Sequence, residues 1–269
     1  MPSLRGLCEH SNKTNRPRTA PVDYGSKMKP IKGQIVALGG GGFLMEPDNP
    51  LLDTFILSLA PRKPARICFV PTASADSAHS LVKFYRAFSG RAIPTDLTIF
   101  DSASLSRRPA RTSELANFVA KQDIIYVGGG NTANLLSIWR VHGLDRILHQ
   151  AWRRGVILCG VSAGMICWFR DGLTDSFGGL ARLADGLGFI NASGCPHYDG
   201  EKNRRPAYKK AIKEGLLGGY AADDGAALHF RGTELCEVVT SRPRAAAYRL
   251  ELVNGRVRET RLKARYLGT

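Results

Sequence analysis

The chain has 269 residues, of which 43% are apolar and 23% charged, and its formal net charge is +15. This length suits one α/β domain with a well-buried core, and no apolar run reaches the roughly 18 residues that a membrane helix needs. The basic residues are spread along the chain without an RNA-binding or zinc-finger pattern, so the charge does not by itself indicate a nucleic-acid partner.

The first 30 residues differ in composition from the rest. Residues 1–30 are rich in Pro, Asn, Ser and basic residues, which predicts a disordered basic extension, and residues 31–269 are expected to form a single folded domain. The extension lacks the continuous apolar segment of a secretory signal. The six cysteines are scattered without a CxxC pair, a pattern typical of a reducing compartment, and we expect a cytoplasmic protein.

From residue 34 onward, short apolar runs alternate with amphipathic stretches. The predicted strands are 34–38, 65–71, 96–100, 123–130 and 155–160, and the predicted helices are 50–60, 77–89, 112–121 and 132–151. Near-continuous apolar strands that alternate with helices predict a parallel sheet covered on both faces. After residue 162 the pattern loosens to a helix within 201–216 and shorter, antiparallel strands toward the C-terminus.

Three glycine-rich turns follow predicted strands, at 37–43, 127–136 and 159–164. In an open parallel sheet such turns lie at the carboxyl ends of the strands, where ligands bind. The first turn does not complete a dinucleotide-binding GxGxxG pattern, because Leu44 and Met45 stand where a third glycine is required. Tight turns without a ligand remain the ordinary explanation for glycines of this kind.

The third turn, "CGVSAG", satisfies the G-x-S-x-G pattern at a predicted strand-to-helix junction. In that context the glycines make room for a serine on a strained turn, and the next backbone N–H faces a developing oxyanion. Ser162 is therefore a candidate nucleophile, although the pattern also arises by chance in Gly- and Ala-rich α/β proteins.

A nucleophilic serine requires a base, and a carboxylate must orient that base. Of the six histidines, His197 is the best candidate because it follows a proline in a loop after an apolar strand, "SGCPHYDGE". Cys195 lies close to it but lacks the sharp turn of a nucleophile. The candidate acids, among which composition does not choose, are Asp171, Asp175, Asp185, Asp199, Asp223 and Asp224. No set of side chains has metal-ligand spacing, and we expect no metal or cofactor.

Five motifs in order, "LGGGGFLMEPDNPLLD", "YVGGGNTANLL", "GVSAGMICWF", "CPHYDGE" and "DDGAALHF", resemble the peptidase E family of serine dipeptidases over about residues 32–250. Cyanophycinases are relatives of that family. The resemblance implies a flavodoxin-like, class I glutamine amidotransferase-like three-layer α/β sandwich with a mostly parallel central sheet. It also implies a homodimer that hydrolyses short peptides with an N-terminal aspartate.

Carried over by motif, the nucleophile is Ser162 and the base is His197. The acid is expected in the loop "GLTDSFGG", at Asp175, with Asp224 as the alternative. The implied oxyanion donors are the N–H groups of Ala163 and of Gly129 or Gly130. Arg205, with Arg204 beside it, and Asn131 are the implied substrate-binding residues. The chain departs from the family by lacking a longer insert between "PHYDGE" and "NRRP", which leaves substrate specificity more open than catalysis.

Other interpretations remain open on the sequence. An α/β-hydrolase has the same G-x-S-x-G turn and the same chain order of serine, acid and histidine. A non-catalytic protein that binds a small acidic metabolite, an esterase and a cyanophycinase-like enzyme are also compatible with these motifs. A nucleotide- or nucleic-acid-binding protein would use the glycine turns and the positive charge instead, but we expect no nucleic-acid partner.

Overall fold

Two β-sheets and eight helices form the part of the chain that the computed structural model describes, residues 33–100 and 112–268. The predicted N-terminal extension, residues 1–30, lies outside it. The helices are α1 (Gly42–Met45), α2 (Leu51–Leu59), α3 (Ala78–Phe88), α4 (Thr112–Ala120), α5 (Thr132–His142), α6 (Leu144–Arg153), α7 (Ala163–Ile166) and α8 (Arg204–Lys213). The strands are β1 (Gln34–Leu38), β2 (Arg66–Val70), β3 (Ile93–Asp96), β4 (Ile124–Val127), β5 (Ile157–Val161), β6 (Phe169–Thr174), β7 (Ala181–Leu183), β8 (Ile190–Cys195), β9 (Gly219–Ala222), β10 (Ala226–Arg231), β11 (Glu234–Thr240), β12 (Ala247–Val253), β13 (Arg256–Arg261) and β14 (Ala264–Tyr266). No helix in the described ranges is long and apolar enough to cross a membrane.

The main sheet has the order β14-β11-β10-β1-β5-β4-β2-β3, and its five strands from β1 to β3 in this order are parallel. Alternate residues of each strand face opposite layers. Along β1, Ile35 and Ala37 pack with the helices α4 to α6, whereas Val36 and Leu38 pack with α1 to α3. The result is the mostly parallel three-layer sandwich that the sequence predicts.

A second, six-stranded sheet with the order β13-β12-β9-β8-β6-β7 was not anticipated from the sequence. It packs on the main sheet through aromatic rings. Phe230 of β10 lies 5.9 Å from Phe169 of β6 and 5.3 Å from Tyr220 of β9, as measured between ring centroids. The chain crosses from the second sheet to the main sheet between β9 and β10, at residues 223–225.

Three predicted elements differ in the structure. The predicted helix at 132–151 is two helices, because Gly143 adopts a left-handed conformation with φ 69° and ends α5. The third strand is 93–96 rather than 96–100, since pairing with β2 ends at Asp96 and the next residues turn toward Asp76, whose carboxylate accepts the N–H of Phe100. The helix expected after Ser162 has only one turn, and β6 follows it.

One buried acid lies beneath the first glycine turn. Asp53 of α2 is 1% exposed, and among the described groups neither its Oδ1 nor the nearby Tyr126 hydroxyl has a hydrogen-bond partner. Burial raises the pKa of Asp53 to about 7, although the charge of Arg91 and the N–H of Phe43 oppose the increase. Asp53 is consequently protonated in the folded protein over a pH range in which the unfolded chain has already ionised it.

This difference gives a pH-dependent stability. Between about pH 4 and 7 the folded state holds a proton that the unfolded state has lost, so the Asp53 contribution becomes less favourable as pH rises, by about 1.4 kcal/mol per unit. We expect Asp53→Asn to remove this slope, so that the variant gains free energy of unfolding relative to wild type from pH 4 to 7 and keeps the gain at pH 8. Urea unfolding at each pH measures it. The exposed Asp48→Asn is the control, and parallel profiles of wild type and Asp53→Asn would contradict the assignment.

Candidate active site

Ser162 stands on a sharp turn between β5 and the one-turn helix α7. Its backbone has φ 58° and ψ −112°, which is strained for a residue with a side chain, and its N–H donates to the Leu38 carbonyl at 3.2 Å. The two flanking glycines are required by close contacts. A β-carbon on Gly160 would lie 2.5 Å from the Gly164 oxygen, and one on Gly164 would lie 2.4 Å from the Val127 oxygen. The sequence pattern thus has the strand–turn–helix context that a nucleophile elbow demands.

The other two glycine turns lie on either side of Ser162, because β5 is placed between β1 and β4. A β-carbon on Gly129 would lie 3.2 Å from Ser162 Cβ and 3.7 Å from Ser162 Oγ. The N–H groups on either side already have acceptors, because Gly128 N–H donates to the Val70 carbonyl and Asn131 N–H donates to the Ala73 carbonyl. In the described part of the chain, no hydrogen bond uses the N–H of Gly129 or Gly130.

His197 and Asp224 come together because β8 and β9 are parallel neighbours. Cys195, the last residue of β8, is in register with Ala221 near the end of β9. The chain therefore leaves both strands at the same edge, with His197 just beyond β8 and Asp224 just beyond β9. His197 Nδ1 and Asp224 Oδ1 are 2.6 Å apart, and both side chains are 15% exposed.

Backbone contacts hold this pair in place. His197 has a left-handed φ of 52°, and its N–H donates to the Gly39 carbonyl at 3.1 Å. Asp199 Oδ1 accepts the N–H of Asp224 at 2.8 Å. Gly40 packs directly against the pair, since a β-carbon there would lie 1.9 Å from Asp224 Oδ1 and 3.1 Å from His197 Nδ1. The first glycine turn thus contributes close packing at the site.

The surroundings keep Asp224 ionised. Burial raises its pKa, but the hydrogen bond from His197 and the positive charges of His197, Arg242 and Arg204 outweigh burial and leave the pKa below its usual value. The ionised Asp224 accepts a hydrogen bond from Nδ1–H, so that in the neutral imidazole Nε2 is the nitrogen with a free lone pair. Cys195 is fully buried and burial raises its thiol pKa, which disfavours it as a competing nucleophile.

Asp175, our first choice of acid from the sequence, lies elsewhere in the cleft. It follows β6, which pairs with β8 on the side away from β9. Its carboxylate is exposed, and Oδ2 is 3.9 Å from Arg204 Nη2. The carboxylate that meets His197 is that of Asp224, our alternative from the sequence. The structure brings both acids near the base because β8 is the middle strand of the three.

The sequence favours Arg205 as the substrate-binding arginine, but in the structure Arg204 is the one that faces the cleft. Arg205 points away from the cleft, pairs with Glu259, and has its guanidinium 5.1 Å from the Tyr198 ring centre. Arg204 faces the cleft with a side chain 3% exposed. Its Nε donates to Glu201 Oε2 at 2.8 Å and its Nη2 to Oε1 at 3.0 Å. Successive residues at the start of α8 face different directions, and the sequence alone does not show which of the two arginines faces the cleft.

Asn131 lies in the cleft but its amide is occupied. Its Oδ1 accepts the N–H of Asn134 at 2.9 Å and so caps α5, and its Nδ2 donates to the Ser176 carbonyl at 3.1 Å. Asn131 thereby fixes the loop that carries Asp175. Glu201 and Ser176 were not singled out from the sequence, and only the three-residue spacing of Glu201 and Arg204 hints at their pairing.

These residues surround one polar cleft of about 350 Å³. Its lining consists of Gly130, Asn131, Ser162, Asp175, Ser176, His197, Glu201 and Arg204. A larger cavity, of about 520 Å³, lies between α6 and residues 187–189, but no serine, threonine or cysteine lines it. Within the described ranges, no group of three or more His, Cys, Asp or Glu side chains is placed to hold a metal ion.

Known proteins share this fold and sequence. The chain matches Peptidase family S51 over residues 35–238. It is 51% identical over 237 residues to the uncharacterised peptidase YgaJ of Bacillus subtilis (strain 168), covering 87% of this chain and 99% of that protein. A shorter match, 35% identical over 98 residues, relates 36% of this chain to 45% of the uncharacterised peptidase PM1590 of Pasteurella multocida (strain Pm70).

Two crystal structures have similar folds. A peptidase from an acI-B1 actinobacterium aligns with a TM-score of 0.63 and 20% identity, over 86% of this chain and 94% of that one. A candidate peptidase E protein from Listeria monocytogenes EGD-e aligns with a TM-score of 0.55 and 19% identity, over 76% and 96%. The fold match and the long sequence match agree with the resemblance to peptidase E, and the chain belongs to peptidase family S51.

Proposed function

We propose that this peptidase is a serine dipeptidase that hydrolyses dipeptides with an N-terminal aspartate through an acyl-enzyme, with Ser162, His197 and Asp224 as its catalytic triad. The hydrogen bond between His197 and Asp224, in the cleft that Ser162 lines, is the observation that carries the proposal. A base with an ionised orienting carboxylate and a serine on a strained turn is the arrangement that acyl transfer requires.

The reaction proceeds in two half-reactions. His197 Nε2 takes the Ser162 hydroxyl proton as Oγ attacks the scissile carbonyl, and Asp224 stabilises the imidazolium that forms. His197 then donates that proton to the leaving amine, so the C–N bond breaks and Ser162 keeps the acyl group as an ester. Water then attacks the ester carbonyl with His197 again as base. The bond between the acyl carbon and Ser162 Oγ breaks, His197 returns its proton to Oγ, and aspartate leaves while the serine hydroxyl is regenerated.

The tetrahedral oxyanion would be met by backbone N–H groups beside Ser162. Ala163 follows the nucleophile at the start of α7, and the second glycine turn contributes Gly129 or Gly130. Donors of this kind each change the rate by about 10²–10³-fold in serine hydrolases. Their backbone origin means that substitution of the side chain alone does not remove them.

The charges around Arg204 support a preference for N-terminal aspartate. Arg204 offers a guanidinium to the substrate carboxylate, while Asp175 and Glu201 offer carboxylates within the same cleft. An N-terminal aspartate presents the complementary set, a side-chain carboxylate close to a free ammonium group. An arginine flanked by acids therefore favours a substrate that carries both charges over one that carries only a negative charge.

Ser162→Ala tests the nucleophile. We expect the variant to lose labelling by a fluorophosphonate and to hydrolyse Asp-Leu at least about 10³-fold more slowly, because no other group forms the acyl-enzyme. The exposed Ser137→Ala should keep both activities. Undiminished hydrolysis by Ser162→Ala would refute the triad, and a wild type inactive on every dipeptide and ester would favour a non-catalytic binding protein.

Asp224→Ala and Asp175→Asn separate the two acids. Loss of the orienting carboxylate in Asp224→Ala should lower kcat by about 10³–10⁴-fold with little change in KM. Asp175→Asn should instead raise KM for Asp-Leu, but not for N-acetyl-Asp-Leu, since the acetylated peptide has no ammonium group. If Asp175→Asn loses kcat and Asp224→Ala does not, Asp175 is the triad acid.

Arg204→Ala tests the substrate carboxylate site. We expect kcat/KM for Asp-Leu to fall by about 10–100-fold, the value of a charge-assisted hydrogen bond, while that for Ala-Leu stays near its low wild-type value. Arg204→Lys should recover little, because lysine does not reproduce the planar guanidinium fork. Arg140→Ala, which removes an exposed arginine paired with Asp185, is the control. An equal loss on both dipeptides would show that Arg204 does not read the aspartate side chain.

A further inference from the structure

Glu259, on the edge strand β13, makes polar contacts with one residue of the loop that follows β8 and two residues of α8. Its Oε2 accepts the Tyr198 hydroxyl at 2.6 Å and lies 2.9 Å from Lys209 Nζ. Arg205 pairs with its Oε1 and also donates from Nε to Oε2 at 3.3 Å. The carboxylate is 14% exposed. One side chain near the C-terminus thus ties together two separate segments that precede it by more than 50 residues in the chain.

Each of these two segments also carries a residue that lines the cleft, His197 in the first and Arg204 in the second. Tyr198 directly follows His197, and its ring is 1% exposed. Arg205 directly follows Arg204, and its guanidinium lies over the adjacent rings of Tyr198 and Tyr248, at 5.1 and 4.9 Å from their centres. A shift in Tyr198 or Arg205 therefore moves the backbone of the base or of the cleft arginine, because each pair shares a peptide bond.

The surrounding charges and hydrogen bonds keep the Glu259 carboxylate ionised at neutral pH. Burial raises the pKa of Glu259, but hydrogen bonds from Arg205, Tyr198 and Lys209, with the charge of Arg205, outweigh burial and lower the pKa to about 2. Burial and the hydrogen bond to Glu259 raise the pKa of the Tyr198 hydroxyl, which stays a donor. The contacts consequently persist over the whole pH range in which a serine–histidine pair functions.

We propose that Glu259 is a positioning residue for catalysis, which sets His197 through Tyr198 and Arg204 through Arg205. This inference rests on the proposed function of Ser162 and His197. Glu259 lies beyond residue 238, where the match to the family model ends, and the hairpin β12–β13 that carries it makes a contact that reaches the base and the substrate arginine together.

Glu259→Ala and Glu259→Gln test the proposal in the full-length chain. Fluorophosphonate labelling reports the alignment of Ser162 and His197, and KM for Asp-Leu reports Arg204. We expect Glu259→Ala to lower the labelling rate at least about tenfold and to raise KM for Asp-Leu, since small displacements of a base cost this much or more. Glu259→Gln should restore most of the labelling rate, because its amide oxygen still accepts the Tyr198 hydroxyl.

Glu251→Ala is the matched control, because Glu251 lies on the same hairpin and pairs with Arg258 and Arg249. It should label and hydrolyse as wild type does. A purely structural role would lower the melting temperature of Glu259→Ala without changing the labelling rate of the folded protein, and that result would overturn the proposal. Equal losses in Glu251→Ala and Glu259→Ala would overturn it as well.

Tyr198→Phe keeps the proposal testable if Glu259→Ala does not fold. It removes only the hydroxyl and leaves the buried ring in place. We expect a slower labelling rate than wild type, and a wild-type rate would refute the route from Glu259 to His197. Wild-type protein that is not labelled would refute the proposed function itself, whereas labelled wild type with unchanged Glu259 and Tyr198 variants would refute only the positioning role.

Discussion

The parallel pairing of β8 with β9 is the constraint on which the cleft depends. It makes the two strands end at one edge, so that His197 and Asp224 emerge side by side although 27 residues separate them in the chain. The crossing from β9 into β10 carries Asp224 to the first glycine turn, and β10 then joins the main sheet beside β1.

Several charged side chains of the cleft are largely buried, and each has a partner of opposite charge. Asp224 is matched by His197, and the almost fully buried Arg204 is matched by Glu201 and Asp175. A buried charge without a partner is strongly unfavourable, so the acids that surround Arg204 allow an arginine to be placed there before any substrate arrives. Under the proposed function, the same acids favour a substrate that carries charges of both signs.

The local sequence predicts those parts of the site that are set by the end of one strand. The glycine turns and the Ser162 elbow follow apolar runs whose ends can be read from the sequence, and they lie where the strand order β1-β5-β4 brings them. The choice between Asp175 and Asp224 depends on which strands flank β8, and that pairing leaves no local signal. The choice between Arg204 and Arg205 depends on the rotation of α8 against its neighbours. Tertiary packing decides both, and hydrophobic periodicity does not report it.

The crossing at residues 223–225 has a consequence for how the enzyme can vary. Ser162 belongs to the main sheet, His197 to the second sheet, and Asp224 to the short connection between them. The proposed nucleophile and base are therefore attached to two different sheets, which pack on each other through Phe230, Phe169 and Tyr220. In the proposed mechanism, the approach of the base to the serine depends on the distance between the two sheets, so substitutions of aromatic residues far from the substrate are able to change the reaction rate.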